Sequence, residues 1–184
     1  KNYSVKWDAP ILAYCLMSNH VHILARPLKD ESLFKMMQGI TLCFTQHINR
    51  KYKRTGRLWE SRYHSCIVDK ERYLWAVARY IEHNPVRAKI TKKAEDYQYS
   101  SAKAHLCGSD DGILGEKLFE AGQRNDYIEL MRASIKKEEL EVIRNRTKSG
   151  RPIGSENFIL RIERKLDRIF TAKPRGRPRK EGAK

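Results

Sequence analysis

The apolar residues fall in blocks whose spacing changes along the chain. Ile11-Leu12-Ala13-Tyr14-Cys15-Leu16-Met17 is an unbroken apolar run of strand length. Ser18-Asn19 is a turn pair, and His20-Val21-His22-Ile23-Leu24-Ala25 resumes as a second strand that stops at Arg26-Pro27. Together they predict a β-hairpin. The spacing then lengthens. Leu33, Met37, Ile40, Phe44 and Ile48 recur every three or four residues, the period of one helix face, and predict a helix from a cap at Asp30 or Ser32 to about Arg50. Tyr63 to Val68 has strand character. Asp69 is placed to cap a second helix from about Lys70 to His83, which Pro85 ends, because proline disfavours helical geometry in the residue before it.

The order strand, strand, helix, strand, helix predicts an α+β fold, an antiparallel sheet with helices on one face. Further helices are expected at Asp96 to Leu106, at Ile113 to Arg146 through Leu118, Tyr127, Leu130, Met131 and Ile135, and around Phe158, Ile159, Ile162, Leu166 and Ile169. The segment after Phe170 lacks apolar periodicity and is expected to be disordered when free. There are no internal repeats. The expected division is a core domain over residues 1–106, a helical extension over 107–147 and a basic segment over 148–184.

Charge sharpens this picture. The 184 residues carry 38 Lys and Arg against 22 Asp and Glu, a formal net charge of +16. A chain this basic repels itself unless it meets an anionic partner, and nucleic acid is the commonest one. Half of that net charge lies in Lys148 to Lys184, with twelve Lys and Arg against four Asp and Glu. No stretch approaches the ~20 apolar residues of a membrane span, and the first residues lack the basic-then-apolar order of a signal peptide. Cys15, Cys43, Cys66 and Cys107 form no C-x-x-C and read as small core hydrophobes.

Two constellations carry candidate chemistry. In His20-Val21-His22 the imidazoles are two apart on a strand, so they share a face and make half of a metal site; ordinary strand histidines have the same pattern. Tyr80 and Asn84 are four apart and share a helix face; a tyrosine near a helix end is also common packing. Glu82 and His83 are alternatives to Asn84 as a third ligand. A phenol with an ordinary pKa near 10 is a poor nucleophile. It can attack a phosphodiester when a metal ion polarises the phosphate. Two imidazoles and an oxygen suit Mn²⁺ or Mg²⁺. The product would be a 5′ phosphotyrosine and a free 3′ hydroxyl. Such a linkage conserves bond energy, which fits the absence of a nucleotide-binding G-x-x-x-x-G-K-[ST] loop.

The segment Tyr14-Cys15-Leu16-Met17-Ser18-Asn19-His20-Val21-His22 resembles the metal-binding segment of the single-tyrosine HUH transposases, the IS200-like group. Arg79-Tyr80-Ile81-Glu82-His83-Asn84-Pro85-Val86-Arg87-Ala88 resembles the nucleophile helix of one branch, the REP-associated tyrosine transposases, as do Tyr97-x-Tyr99-Ser100-Ser101 and Gly150-Arg151-Pro152-Ile153-Gly154. The resemblance covers roughly residues 10–180. It implies a ferredoxin-like core, Tyr80 as nucleophile, and His20, His22 and Asn84 as ligands of Mg²⁺ or Mn²⁺. It implies a substrate of single-stranded DNA folded into imperfect palindromic hairpins. It also implies a monomer rather than a dimer, in the bacterial cytoplasm at the nucleoid. The family has a strand and most of a helix ahead of the first strand found here. This chain starts at Lys1 rather than Met, so that sequence is expected to be missing.

DNA contacts are expected from Lys51, Lys53, Arg54, Arg57, Arg62 and Arg72, with Tyr52, Trp59, Tyr63 and Trp75 interleaved. Cations track a backbone and rings stack on unpaired bases; Trp59 and Tyr63 fit a core role as well. Arg151 and the tail arginines Arg175, Arg177 and Arg179 extend the basic set. Arg175-Gly176-Arg177-Pro178 resembles the AT-hook core, a reader of narrow A·T minor grooves; a generic basic tail fits the same residues. Two other functions remain open: a hairpin-binding regulator without catalysis, and a metal-dependent hydrolase in which water attacks and Tyr80 is structural.

Overall fold

The computed structural model describes residues 1–70, 72–120 and 122–170, with Arg72 described by its backbone alone. The tail arginines Arg175, Arg177 and Arg179 and the AT-hook-like segment lie outside the described residues.

The fold mixes helices with a small antiparallel sheet. Strand β1 (Ile11–Leu16) and strand β2 (Val21–Ala25) form the predicted hairpin, with Cys15 opposite His22 and Ala13 opposite Leu24. A bulge between Ile11 and Ala13 shifts the register at the start of β1. The far edge of β1 is also covered. Leu16 donates to the Tyr99 carbonyl at 2.9 Å, Ser101 donates to the Tyr14 carbonyl at 3.1 Å, and the Tyr97 hydroxyl reaches the Leu16 carbonyl at 2.7 Å. The Tyr97-x-Tyr99-Ser100-Ser101 stretch therefore lies along β1, bridged at Cys15 and Ser100, without forming a regular strand.

Helices cover both faces of the hairpin, not one as the sequence suggested. Helix α3 (Arg72–Glu82) packs against β1 and β2, and Ala13, Cys15 and Leu24 share its apolar cluster with Val77, Ala78 and Ile81. The alternate residues Ile23 and Ala25 go to a second cluster with Met36 and Met37 of helix α2 (Ser32–Lys51) and with Tyr3 and Trp7. Tyr3 sits in a short first helix, α1 (Asn2–Lys6). The reason is in β1 itself. An unbroken apolar run, unlike an alternating one, is buried on both faces, and Ile11 to Cys15 are all buried.

Other expectations also change. Neither Asp30 nor Ser32 caps α2: the flanking residue is Glu31, and the Ser32 hydroxyl accepts from Lys29 N–H, ahead of the helix. Tyr63 to Val68 forms no strand. Its one pairing is a parallel bridge of Val68 with Ile153, in which Ile153 donates to Ile67 and Asp69 donates to Ile153. The partner is only the Gly150-Arg151-Pro152-Ile153-Gly154 segment, and proline has no N–H to extend a ladder. Pro85 does not end helical structure. After His83 the chain makes one more turn, α4 (Asn84–Arg87).

The C-terminal half is helical in pieces: α5 (Ala102–Cys107), α6 (Arg124–Arg132), α7 (Lys137–Ser149) and α8 (Glu156–Leu166). Residues 113–120 are not helical. Gly150, with φ +67°, closes α7 in the left-handed conformation glycine tolerates best. The Ser155 hydroxyl caps α8, and the Asp69 carboxylate holds Ser155 by its N–H and hydroxyl. Tyr127, Met131, Ile143 and Ile153 join the same apolar cluster as Leu12 and Val77. Cys15 is buried as expected and Cys66 partly so, whereas Cys43 and Cys107 are exposed. Among the described residues no helix is long and apolar enough to cross a membrane.

Helix α2 has a glycine where α1 leans on it. A Cβ at Gly39 would lie 2.3 Å from two Tyr3 ring carbons. Gly39→Ala is expected to destabilise the chain by about 1–3 kcal/mol through that overlap. With Tyr3→Ala the overlap goes, and Gly39→Ala should instead stabilise by about 1 kcal/mol through helix propensity. Thermal melts of the four chains check both signs.

Candidate active site

The site is made where α3 crosses the hairpin. His22 lies in β2 with its side chain on the α3 side, as Cys15 opposite it shows. His20 immediately precedes β2, two residues away. The two imidazole rings meet edge to face with centroids 4.9 Å apart, and the His22 ring meets the Tyr80 ring the same way at 5.8 Å. Three residues singled out from sequence are thus brought together across about sixty positions of chain. Tyr80 is buried, and His20 is exposed.

The state of His22 suits a metal ligand. Burial, with His20 and Arg87 close by, pushes the His22 pKa down to about 4, so its imidazole is neutral at pH 7. His20 Nδ1 lies 2.7 Å from the Asn19 amide oxygen. That oxygen can only accept, so Nδ1 donates to it, and Nε2 is the nitrogen left to face a ligand. Two imidazoles side by side fit part of a coordination shell for a divalent ion. Among the described residues no group of three or more His, Cys, Asp or Glu gathers, so the other ligands would have to be oxygens of another kind.

Asn84 stands one turn after Tyr80, but its side chain turns back onto the helix. Its Nδ2 donates to the carbonyls of Tyr80 and Ile81, both at 3.1 Å, and its Oδ1 accepts from Arg87 Nη2 at 2.8 Å. The cause is Pro85. Without an N–H it leaves the Ile81 carbonyl with no helical donor, and Asn84 supplies one. The alternatives point elsewhere. Glu82 is fully buried, its carboxylate accepting from Ser101 Oγ at 2.5 Å, His105 Nδ1 at 2.6 Å and Tyr127 Oη at 2.9 Å. His83 Nε2 donates to the Met131 carbonyl at 2.9 Å.

Sequence reasoning missed Arg87. Its guanidinium carbon sits 4.3 Å from the centre of the Tyr80 ring, and Nη2 also donates to the Tyr80 carbonyl at 2.8 Å. The signal available was spacing, since residues seven apart share a helix face.

Of the expected DNA contacts, Lys51, Lys53, Arg54, Arg57 and Arg62 are exposed and Arg151 is half-buried. The Arg72 side chain lies outside the described residues. Tyr52 and Tyr63 are exposed. Trp59 packs on Phe44 and donates to the Thr41 carbonyl, and Trp75 is enclosed by Phe119 and Tyr127 and donates to Leu118. Trp75 is therefore a core residue and not a stacking platform.

Residues 1–84 match the model of a family described as transposase, IS200 like. The match supports the transposase family, and with it a DNA-processing enzyme and DNA transposition in general. It takes in His20, His22 and Tyr80 and ends at Asn84. No curated protein and no solved structure matches the chain.

The lowered His22 pKa has a sign for stability. The unfolded chain protonates this imidazole at about 6.5, the folded chain only at about 4. Its contribution is complete above pH 6.5 and is lost as pH falls from there to 4. His22→Gln in the metal-free chain should therefore flatten the fall in melting temperature across that window. An unchanged slope would place the titration elsewhere.

Proposed function

We propose that the chain cleaves and rejoins single-stranded DNA at hairpin-flanked, REP-like palindromic sequences, with Tyr80 as nucleophile. The observation that carries this reading is the contact of Tyr80 with His22, itself in contact with His20, on elements that lie within the family match. The Tyr80 oxygen attacks the scissile phosphorus, the bond from phosphorus to the 3′ oxygen breaks, and that oxygen leaves as a 3′ hydroxyl with a proton. The phenol proton passes to solvent. DNA remains on Tyr80 through a 5′ phosphotyrosyl diester, and attack by a 3′ hydroxyl reverses the step without ATP.

His20 and His22 would hold Mg²⁺ or Mn²⁺, and the bound ion would supply a Lewis acid for charge growing on the phosphate. Asn84 Oδ1 accepts one bond from Arg87, and its second lone pair is the one that would serve as a third ligand. The exposed Lys51, Lys53, Arg54, Arg57 and Arg62 suit a backbone track, with the exposed rings of Tyr52 and Tyr63 suited to stack on unpaired bases. Arg151, Arg175, Arg177 and Arg179 add to the basic set. The hairpin and α3 belong, in this reading, to a ferredoxin-like core that acts as a monomer at the bacterial nucleoid.

Incubation of the full chain with hairpin single-stranded DNA and Mn²⁺ should give a covalent adduct on a denaturing gel. Tyr80→Phe should abolish it, because no oxygen remains to attack, while hairpin binding persists. Cleavage that survives Tyr80→Phe without an adduct would assign the attack to water. Binding with no cleavage by the parent, insensitive to chelation and to His20→Ala, would assign a regulator.

A further inference from the structure

Arg87 has a feature its packing role does not explain. Its Nη2 is used twice, by the Tyr80 carbonyl and by Asn84 Oδ1. Its Nη1 is buried and has no hydrogen-bond partner. Among the described residues no ion pair joins Arg87 to a carboxylate. Burial pushes the Arg87 pKa down, and another cation, Arg144, pushes it the same way. A half-buried cation without a counter-anion is costly, and so is a buried N–H without an acceptor. Both costs are lifted by one anion at Nη1.

The position limits which anion. The guanidinium lies over the Tyr80 ring, and its charge is felt at His22. An acceptor at Nη1 would therefore lie close to the Tyr80 ring, on the side of the charge that acts on His22. The two bonds at Nη2 fix the plane of the fork, which suits the oxygens of a tetrahedral phosphate.

We propose that Arg87 is a further catalytic residue, its Nη1 donating to a non-bridging oxygen of the scissile phosphodiester and then of the phosphotyrosyl diester on Tyr80. This rests on the nucleophilic role of Tyr80 given above. Bonds form and break as already described. Arg87 transfers no proton and stabilises the charge that grows on the phosphoryl oxygens.

The test pairs a protein change with a substrate change. Arg87→Gln should slow adduct formation about 10²- to 10³-fold on ordinary hairpin DNA with Mn²⁺. On the same DNA with a neutral methylphosphonate at the scissile position, the difference between parent and variant should shrink to under about tenfold. Equal losses on both substrates would mean that Arg87 acts only by holding α4, and would overturn the proposal, as would Arg87→Gln reacting at the parental rate. If Arg87→Gln does not fold, judged by its melt, Arg87→Lys carries the comparison. If the neutral linkage reacts with neither protein, rescue of Arg87→Ala by added methylguanidinium decides, and its absence overturns the proposal. A parent that forms no adduct defeats the nucleophilic reading of Tyr80 as well. A parent that does, with additive losses, defeats the Arg87 proposal alone.

Discussion

The arrangement depends first on the carboxylate of Glu82. It has no solvent exposure and accepts three hydrogen bonds, from Ser101, His105 and Tyr127. Those donors come from three places: the segment lying along β1, α5 and α6. One side chain of α3 therefore fixes the helix against everything on its far side. Removing a partner from a buried charged group costs about 3–5 kcal/mol, so the set stands or falls together. The Tyr127 phenol shows the same coupling, since burial and then Glu82 raise its pKa well above 10. Glu82 follows Tyr80 by two residues, about 200° around an α-helix. Anchoring Glu82 on one side turns Tyr80 to the other, toward His22.

The remaining faces of α3 serve the same end. Arg79 donates to the Ala133 carbonyl and His83 to Met131, which ties the helix to the end of α6. Beyond His83, Pro85 removes one backbone donor, and Asn84 and Arg87 rebuild the turn from side chains. The break places a guanidinium over the Tyr80 ring. In an uninterrupted helix, Ile81 would have its ordinary backbone partner and Asn84 would be released from that carbonyl.

Much of this was legible in the sequence wherever the cause was local. The hairpin and the periods of α2 and α3 rest on spacing, and they predicted real elements. That the histidine pair would meet Tyr80 followed from family resemblance; spacing alone left each with an ordinary packing explanation. What could not be read depends on partners far along the chain. The run at Tyr63 to Val68 has strand composition, but its partner is a proline-containing segment some 85 residues later. Leu118 sits in the core from a non-helical segment, so its apolar position mimicked helical period. Cys43 looked like a core residue because Leu42 and Phe44 flank it, yet all three are exposed on α2. Glu82 was a candidate ligand from proximity to Tyr80, and only the fold shows its carboxylate committed elsewhere. One misreading was avoidable. The unbroken apolar run of β1 already argued for cover on both faces.

The electrostatics of the site lead one step further. Carboxylate ligands would cancel the charge of a divalent ion; neutral imidazoles do not. In the proposed reading, Arg87 adds a further positive charge with no carboxylate paired to it. Metal and guanidinium would then repel each other at close range, in surroundings that screen charge poorly. A DNA phosphate between them relieves both at once. Metal and DNA should accordingly bind with positive coupling, each raising the affinity for the other by the same factor, as linkage requires. The same logic gives the buried Glu82 a second role. It supplies the anchoring bonds on the side of α3 away from Tyr80, which keeps its negative charge off the surface meant for phosphate.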